Sequence, residues 1–186
     1  MRNGRWTLLL AAATLVGSVP GRASAFGGTA GDLGKPGTFV VTNDASFSFY
    51  QPLSNANGPA FRLQPALDYF VVPNLSIGGT LVLGYDSNNK ATTVGIAGRV
   101  GYEVVLSDTW SFWPRAAVTL TSVSLPAPNG GGGSGLALDL FAPFLVHPAE
   151  HFFFGLGPGF HQDVAGNDPK VTAITGGFLI GGYFDS

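Results

Sequence analysis

Residues 75–85, LSIGGTLVLGY, alternate between large apolar and small side chains. One side of this stretch carries leucine, isoleucine and tyrosine, and the other carries serine, glycine, threonine and one valine. A period of two places successive side chains on opposite faces of a β-strand. A soluble sheet would carry lysine and glutamate on the face that leaves the core, but no charged residue occurs here before Asp86. The stretch therefore predicts a strand whose apolar face and small face meet different surroundings.

Seven further stretches alternate in a similar way, so the pattern predicts an all-β chain of eight strands. The predicted strands cover 38–51, 61–72, 75–85, 93–104, 110–124, 136–146, 151–161 and 171–184. Connections rich in Pro, Asn and Gly follow the first, third, fifth and seventh strands, whereas tight turns follow the second, fourth and sixth. This order predicts antiparallel hairpins. The glycine-rich residues 125–135 are predicted to form a loop.

Four prolines fall inside the predicted strands, at Pro65, Pro114, Pro143 and Pro158. Proline lacks a backbone donor, and a closed barrel offers no edge strand on which to place it. Each proline therefore predicts a bulge, a kink or an earlier strand end.

The N-terminus has the pattern of a secretory signal peptide. Arg2 and Arg5 precede a short apolar run, and small residues at 23–25 form a cleavage site. We therefore divide the chain into a signal peptide at 1–25, a flexible lead-in at 26–37 and a barrel at 38–186. The sequence contains no cysteine, which excludes a disulfide framework and a lipid-modified cysteine.

Composition favours a membrane as the medium outside the strands. Only 11% of the residues are charged and 45% are hydrophobic, whereas a soluble domain is about 25% charged. After the leader, lysine occurs only at Lys35, Lys90 and Lys170, all in predicted loop or terminal segments. No later apolar run is long enough for a spanning helix, but the strands have the length that a tilted spanning strand needs. The sequence therefore predicts an eight-stranded antiparallel up-and-down transmembrane β-barrel in a bacterial outer membrane, with short turns on the periplasmic side.

Aromatic residues collect at both ends of the predicted strands, as expected for two membrane interfaces. Strand propensity alone is the alternative explanation, because aromatic residues favour strands in any sheet. Those near the tight turns are Tyr69, Tyr102, Trp110, Phe112, Phe152 and Phe184, and those near the long connections are Phe49, Phe61, Tyr85 and Phe160.

The turn and strand VPNLSIGG at 72–79 and the closing strand FLIGGYF at 178–184 resemble those of small eight-stranded outer-membrane barrels. This family includes the OmpA transmembrane domain and OmpX, and the resemblance covers nearly all of the chain after the leader. It implies contact with outer-membrane lipids, insertion by the barrel-assembly machinery and a monomeric state. Such barrels usually end on an aromatic residue that serves as an assembly signal, but here Asp185 and Ser186 follow Phe184.

Seven charged residues fall on the small, polar faces of the predicted strands and would point into the lumen. They are Asp44, Arg62, Asp68, Arg99, Glu103, Arg115 and Asp139. Both signs are present in near balance, so the charges can neutralise one another where an unpaired charge would be costly. An eight-stranded interior is just wide enough for side chains to fill, which predicts a plug and not a pore. A register that places Gly101 opposite Arg115 predicts an ion pair between Arg115 and Glu103.

The candidate chemistry is sparse, and we predict no catalytic residue, metal site or cofactor. His161 with Asp163 resembles the histidine-dependent sites of outer-membrane lipid-modifying enzymes, but no serine is close in sequence and a histidine at a loop edge explains the pattern. His147 and His151 flank a predicted turn and lack a third ligand, which favours a solvated turn over a metal site.

The predicted function is that of an outer-membrane barrel with a filled, charge-paired lumen. Its role is envelope structure, surface adhesion or small-ligand binding through the long loops, and fold alone does not choose between them. The alternatives are an outer-membrane lipid-modifying enzyme and a secreted soluble barrel that binds an apolar ligand. The net charge of −2 and the absence of a basic patch exclude nucleic-acid partners, while the extracellular ligand is not predicted.

Overall fold

A computed structural model describes residues 29–47, 60–86, 90–126, 131–166 and 171–185. The predicted signal peptide at 1–25 lies outside the described residues. The elements are α1 (Ala30–Leu33), β1 (Thr38–Phe47), β2 (Ala60–Val72), β3 (Leu75–Asp86), β4 (Ala91–Tyr102), β5 (Val104–Ser107), β6 (Trp110–Phe112), β7 (Arg115–Ser124), β8 (Gly132–Phe141), β9 (Phe144–Ala149), β10 (Phe152–Ala165) and β11 (Thr172–Asp185). None of the described residues belongs to a helix long and apolar enough to cross a membrane.

The strands close into an antiparallel ring. Its order is β1, β2, β3, β4, β7, β8, β10 and β11, and β11 returns to β1 through pairs that run from Thr38 and Asp185 to Phe47 and Gly176. Strand β5 continues β4, β6 leads into β7, and β9 continues β8, so the ring has eight barrel strands. Neighbours in the ring are also neighbours in the sequence. The predicted eight-stranded up-and-down barrel is confirmed.

One predicted loop is shorter than its composition indicated. Strand β8 begins at Gly132, and its first residues pair with β7 from Ser124 opposite Gly132 to Thr121 opposite Gly135. The N–H of Leu125 donates to the carbonyl of Gly131 at 2.9 Å. Backbone pairing with β7 does not depend on side chains, which explains why a glycine-rich segment extends the strand.

Two in-strand prolines mark breaks in the barrel strands, as predicted. Pro114 lies between β6 and β7, and Pro143 lies between β8 and β9. The N–H of Tyr102, the last residue of β4, donates to the Pro114 carbonyl at 3.0 Å. Pro65 stays inside β2, where the pairing with β3 passes from Leu63 directly to Ala66.

The remaining hydrogen bonds show how the missing donors are accommodated. In an antiparallel pair, the N–H and C=O of one residue point to the same neighbour. The Pro158 carbonyl accepts the Ala142 N–H at 2.9 Å, so the absent N–H of Pro158 faces the break beside Pro143. The Pro143 carbonyl likewise accepts the Trp113 N–H at 3.0 Å, at the break between β6 and β7. These prolines therefore face breaks in the adjacent strand, where the regular ladder is already interrupted.

The two faces of the strands point as predicted. Leu81, Ile96 and Leu120 face outward and are 55%, 59% and 54% exposed. The alternate residues, such as Thr80, Ala97 and Thr119, face the lumen and are buried. Apolar side chains thus cover the outside of the barrel, while small and polar side chains line much of the inside.

One end of the lumen is filled by an apolar cluster that the sequence pattern did not predict. We call this the closed end, because it lies beside the tight turns at 73–74, 108–109 and 150–151. The cluster comprises Leu33, Val40, Phe70, Trp113, Leu145, Phe153, Leu179 and Tyr183. The Trp113 ring centroid lies 5.8 Å from that of Phe70 and 6.2 Å from that of Phe153, within the range of favourable aromatic pairs. The opposite end, beside the connections after β1, β3, β7 and β10, is called the open end.

The described part of the lead-in, which we expected to be flexible, packs against the closed end. Leu33 of α1 is fully buried in the apolar cluster. The Ala30 N–H donates to the Asp108 carbonyl at 2.7 Å, and the Gly34 carbonyl accepts the Asn74 N–H at 2.8 Å. These bonds tie the segment to two tight turns. Leu33 also fills space that the strands leave inside the barrel. Residues 26–28 lie outside the described residues.

Candidate functional site in the barrel lumen

Arg99 is the centre of a buried charge cluster in the middle of the lumen. Its Nε donates to Asp68 Oδ1 at 2.8 Å, and its Nη2 contacts Asp68 Oδ2. Its Nη1 donates to Asp44 Oδ2 at 2.8 Å, and Nη2 also donates to Thr42 Oγ1 at 2.9 Å. The four residues come from β1, β2 and β4, whose polar faces share the lumen. Three of the seven predicted lumen charges therefore meet here.

Arg115 also joins this cluster. We predicted that it pairs with Glu103, and that prediction is wrong. The register is the predicted one, with Gly101 opposite Arg115. However, Arg115 Nη2 lies 3.0 Å from Asp44 Oδ2. The guanidinium lies over the rings of Trp113 and Phe141, at 4.7 Å and 5.1 Å from their centroids. The two rings hold the guanidinium beside Asp44, so the diagonal Glu103 is not its partner.

Glu103 lies instead at the closed end. It is fully buried, and its backbone N–H donates to the Asn74 carbonyl at 2.8 Å. A Cβ on Gly34 would lie 2.5 Å from Glu103 Oε2, so a larger residue at this position would displace the Glu103 side chain.

A second polar cluster surrounds His161 towards the open end. His161 is directly opposite Asp139 in the β8–β10 register, and its Nδ1 lies 2.7 Å from Asp139 Oδ1. Its Nε2 lies 3.4 Å from Asp163 Oδ1. Thr119 donates its hydroxyl to the other oxygen of Asp139. The predicted loop-edge histidine is therefore a half-buried lumen residue between two carboxylates, and Asp139 is part of the same cluster.

A cavity with a volume of about 100 Å³ joins the two clusters. Its charged lining consists of Asp44, Arg62, Arg99, Arg115, Asp139 and His161, and apolar surface comes from residues such as Phe141 and Phe178. Arg62 is half-buried, and its Nε and Nη2 have no hydrogen-bond partner among the described residues. The described part of the lumen is thus packed at the closed end and contains a cavity beyond the charge cluster, whereas we expected the lumen to be filled throughout.

The other two histidines occupy different surroundings. His147 is fully buried with its Nε2 3.0 Å from Ser111 Oγ, so our expectation of a solvated turn is wrong for this residue. His151 is exposed in the tight turn and stacks on Tyr183 at 5.0 Å. Residue 147 alternates in phase with the lumen face of β9, which is the signal that could have located it. Within the described ranges, no three histidine or carboxylate side chains are arranged so that they could hold one metal ion.

The arrangement around His161 favours charge pairing over nucleophilic catalysis. Both ring nitrogens face carboxylates, at 2.7 Å and 3.4 Å. A histidine that activates a nucleophile needs a hydroxyl or thiol within hydrogen-bond reach. Among the described residues, the contacts of this ring include no such group.

The predicted aromatic belts lie on the outer surface where the structure describes them. Tyr102, Trp110, Phe152 and Phe184 are exposed near the closed end, and Tyr69 and Phe112 are partly exposed there. Phe39 packs against both Tyr69 and Phe184, at 4.7 Å and 5.7 Å between ring centroids. At the open end Tyr85 is exposed and Phe160 is partly exposed. Phe49 and the Phe61 side chain lie outside the described part, so that belt stays a prediction.

Comparison with known proteins shows the fold alone. No protein-family model matches the chain, and no curated protein matches it. The crystal structure of Neisserial surface protein A (NspA) is similar over 81% of this chain and 97% of that chain, with a TM-score of 0.61 and 13% identity. The outer-membrane protein Ail of Yersinia pestis matches 80% of this chain and 99% of that chain, with a TM-score of 0.47 and 12% identity. A designed transmembrane β-barrel matches 81% of this chain and 98% of that chain, with a TM-score of 0.42 and 15% identity. The chain is thus similar in fold to a small outer-membrane barrel.

Proposed function

We propose that this chain is an integral protein of a bacterial outer membrane that presents its open end at the cell surface. One observation carries the proposal: outward-facing aliphatic side chains surround the barrel, while Arg99, Asp68 and Asp44 are buried inside it. A water-soluble protein rarely exposes so extended an apolar surface. In a bilayer the same surface is matched to lipid, and the polar residues belong inside.

The barrel is closed to bulky solutes in this proposal. The apolar cluster fills the closed end, and the Arg99 cluster lies above it in the lumen. The role therefore lies at the open end, in adhesion, envelope structure or binding of a small ligand. A surface location is also what the name of NspA says of that protein. Contact with membrane lipids and insertion by the barrel-assembly machinery, with Phe184 near the end of β11, belong to the same proposal.

Two alternatives receive less support. A soluble barrel that binds an apolar ligand needs its leucine faces turned inward, but Leu81 and Leu120 face outward. A lipid-modifying enzyme that uses His161 needs a nucleophile and access from the lipid, but His161 faces the lumen between two carboxylates. Lipid-hydrolase activity of the original chain and of His161→Ala tests that alternative. We expect no difference between the two.

Fractionation of bacteria that express the full chain tests the proposal. We expect the mature protein in the outer-membrane fraction, resistant to alkaline extraction and released only by detergent. A periplasmic marker protein that is soluble after the same extraction is the control. Recovery of the mature protein in the soluble periplasm without detergent would contradict membrane integration.

A further inference from the structure

Two guanidinium groups in the lumen cavity carry N–H donors that no described residue accepts. Arg115 is only 5% exposed, and its Nε and Nη1 have no hydrogen-bond partner in the described ranges. Its Nη2 lies 3.0 Å from Asp44 but lacks hydrogen-bond geometry. Arg62 Nε and Nη2 are also enclosed, and they too have no hydrogen-bond partner among the described residues. Both side chains line the cavity.

The acceptors around the cavity are largely occupied. Both oxygens of Asp139 are engaged, one by His161 and one by Thr119. Asp44 Oδ2 already contacts two arginines. Among the fully enclosed side-chain atoms of the described residues that line the cavity, the acceptors without a partner are Asp44 Oδ1 and Thr80 Oγ1. Enclosed donors without a partner therefore outnumber enclosed acceptors without one.

The carboxylates near the cavity are already engaged by the cationic side chains or the histidine that line it. Three guanidinium groups and two carboxylates line the cavity, together with His161. Asp68 lies outside this lining, and both of its oxygens contact Arg99. Asp163 also lies behind the lining, 3.4 Å from His161 Nε2, so the cavity and its immediate surroundings contain three guanidinium groups and four carboxylates. A buried charged donor without an acceptor is costly, so the free N–H groups of Arg62 and Arg115 are complementary to a ligand that supplies acceptor oxygens.

We propose that the cavity binds a small oxyanion, a carboxylate or a phosphate, through Arg62 and Arg115. The guanidinium fork matches both groups, because it presents parallel N–H donors to two oxygens. The rings of Trp113 and Phe141 fix the orientation of Arg115, so little side-chain freedom is lost on binding. A volume of about 100 Å³ admits only a small ligand. This inference goes beyond the proposed function and does not depend on where the barrel resides, since it uses only the folded lumen.

Titration calorimetry on the mature barrel, folded in neutral detergent at constant ionic strength, tests the inference. The probes are inorganic phosphate, acetate and glycerol phosphate. We expect saturable binding of phosphate or acetate, weakened by about tenfold or more in Arg62→Gln, because a hydrogen bond to a charged group is lost. Arg115→Lys keeps the charge but removes the fork, so it should also weaken binding. Lys90→Gln removes a positive charge at an exposed site near the open end and should leave binding unchanged.

The outcomes separate the possible sources and can overturn the proposal. Binding of glycerol phosphate as tight as that of phosphate points to a lipid headgroup as a source, and binding of phosphate or acetate alone points to a free anion. Thermal unfolding of each variant establishes that it is folded, and Arg115→Lys decides the test if Arg62→Gln does not fold. The absence of saturable binding at millimolar probe concentration would overturn the site. Equal weakening in Lys90→Gln would also overturn it, because it would show general charge attraction.

Discussion

Arg99 and Asp68 meet across an intervening strand because the residue between them is Gly78. In the register, Gly78 of β3 lies opposite Asp68 of β2 on one side and opposite Arg99 of β4 on the other. A Cβ at Gly78 would overlap Asp68 Oδ1 and would lie 2.5 Å from the Leu67 carbonyl oxygen. The ion pair therefore passes over a position that only glycine leaves open.

Gly78→Ala should destabilise the barrel by about 1–3 kcal/mol, because the added methyl group forces Asp68 and Arg99 apart or shifts the strand. Gly98→Ala is the matched control, since a Cβ there has no neighbouring heavy atom within 4 Å. That control should stay within about 0.5 kcal/mol. Urea unfolding of both variants in lipid vesicles measures the difference. Equal free energies of unfolding for the two variants would show that the Arg99–Asp68 ion pair does not depend on the space that Gly78 leaves.

Arg99→Met should cost about 3–5 kcal/mol of unfolding free energy, since Asp68 is left as an uncompensated buried charge. Adding Asp68→Asn should recover part of the loss.

Arg115→Met should cost less unfolding free energy than Arg99→Met, because Asp44 keeps its bond to Arg99. A double-mutant cycle should show coupling between Arg115 and Asp44 and none between Arg115 and Glu103. Coupling to Glu103 instead would contradict the lumen geometry.

The barrel topology and the facing of the strands could be predicted from the sequence, because a period of two and the alternation of turns with longer connections are local signals. The register beside Arg115 followed from the same signals. The partner of Arg115 could not be predicted, since Asp44 lies on a strand that is distant in sequence and reaches it across the lumen. Trp113 and Phe153 alternate in phase with the lumen positions, but their size alone does not show that one end of the barrel is apolar.

Leu33→Ala should destabilise the barrel by about 2–5 kcal/mol, because it removes a fully buried side chain from the apolar cluster and leaves a cavity. Lys35→Ala, an exposed change in the same segment, should stay within about 0.5 kcal/mol. Urea unfolding in vesicles compares them. A near-neutral Leu33→Ala would mean that the segment does not contribute to the stability of the closed end.

Single cysteines should report the orientation of the barrel, because the natural sequence has none. On intact cells, a membrane-impermeant maleimide should label Lys90→Cys, beside the connection after β3. It should not label Glu150→Cys, in a tight turn of the closed end. Both residues are exposed, so lysed cells should label both variants equally. The reverse pattern on intact cells would place the closed end outside.

Val118→Arg tests whether lipid surrounds the outer face. Val118 faces outward near the middle of the barrel strand formed by β6 and β7, and it is 49% exposed. An arginine at the bilayer midplane of a barrel costs about 2–4 kcal/mol, and this falls to about 0–1 kcal/mol near the interfaces. Ile174→Arg, at an outward position near the open end, is the matched control. We expect Val118→Arg to be the more destabilising variant in vesicles. If water surrounded the barrel, both would be exposed surface changes within about 0.5 kcal/mol, and equal values near zero would reject a membrane around this face.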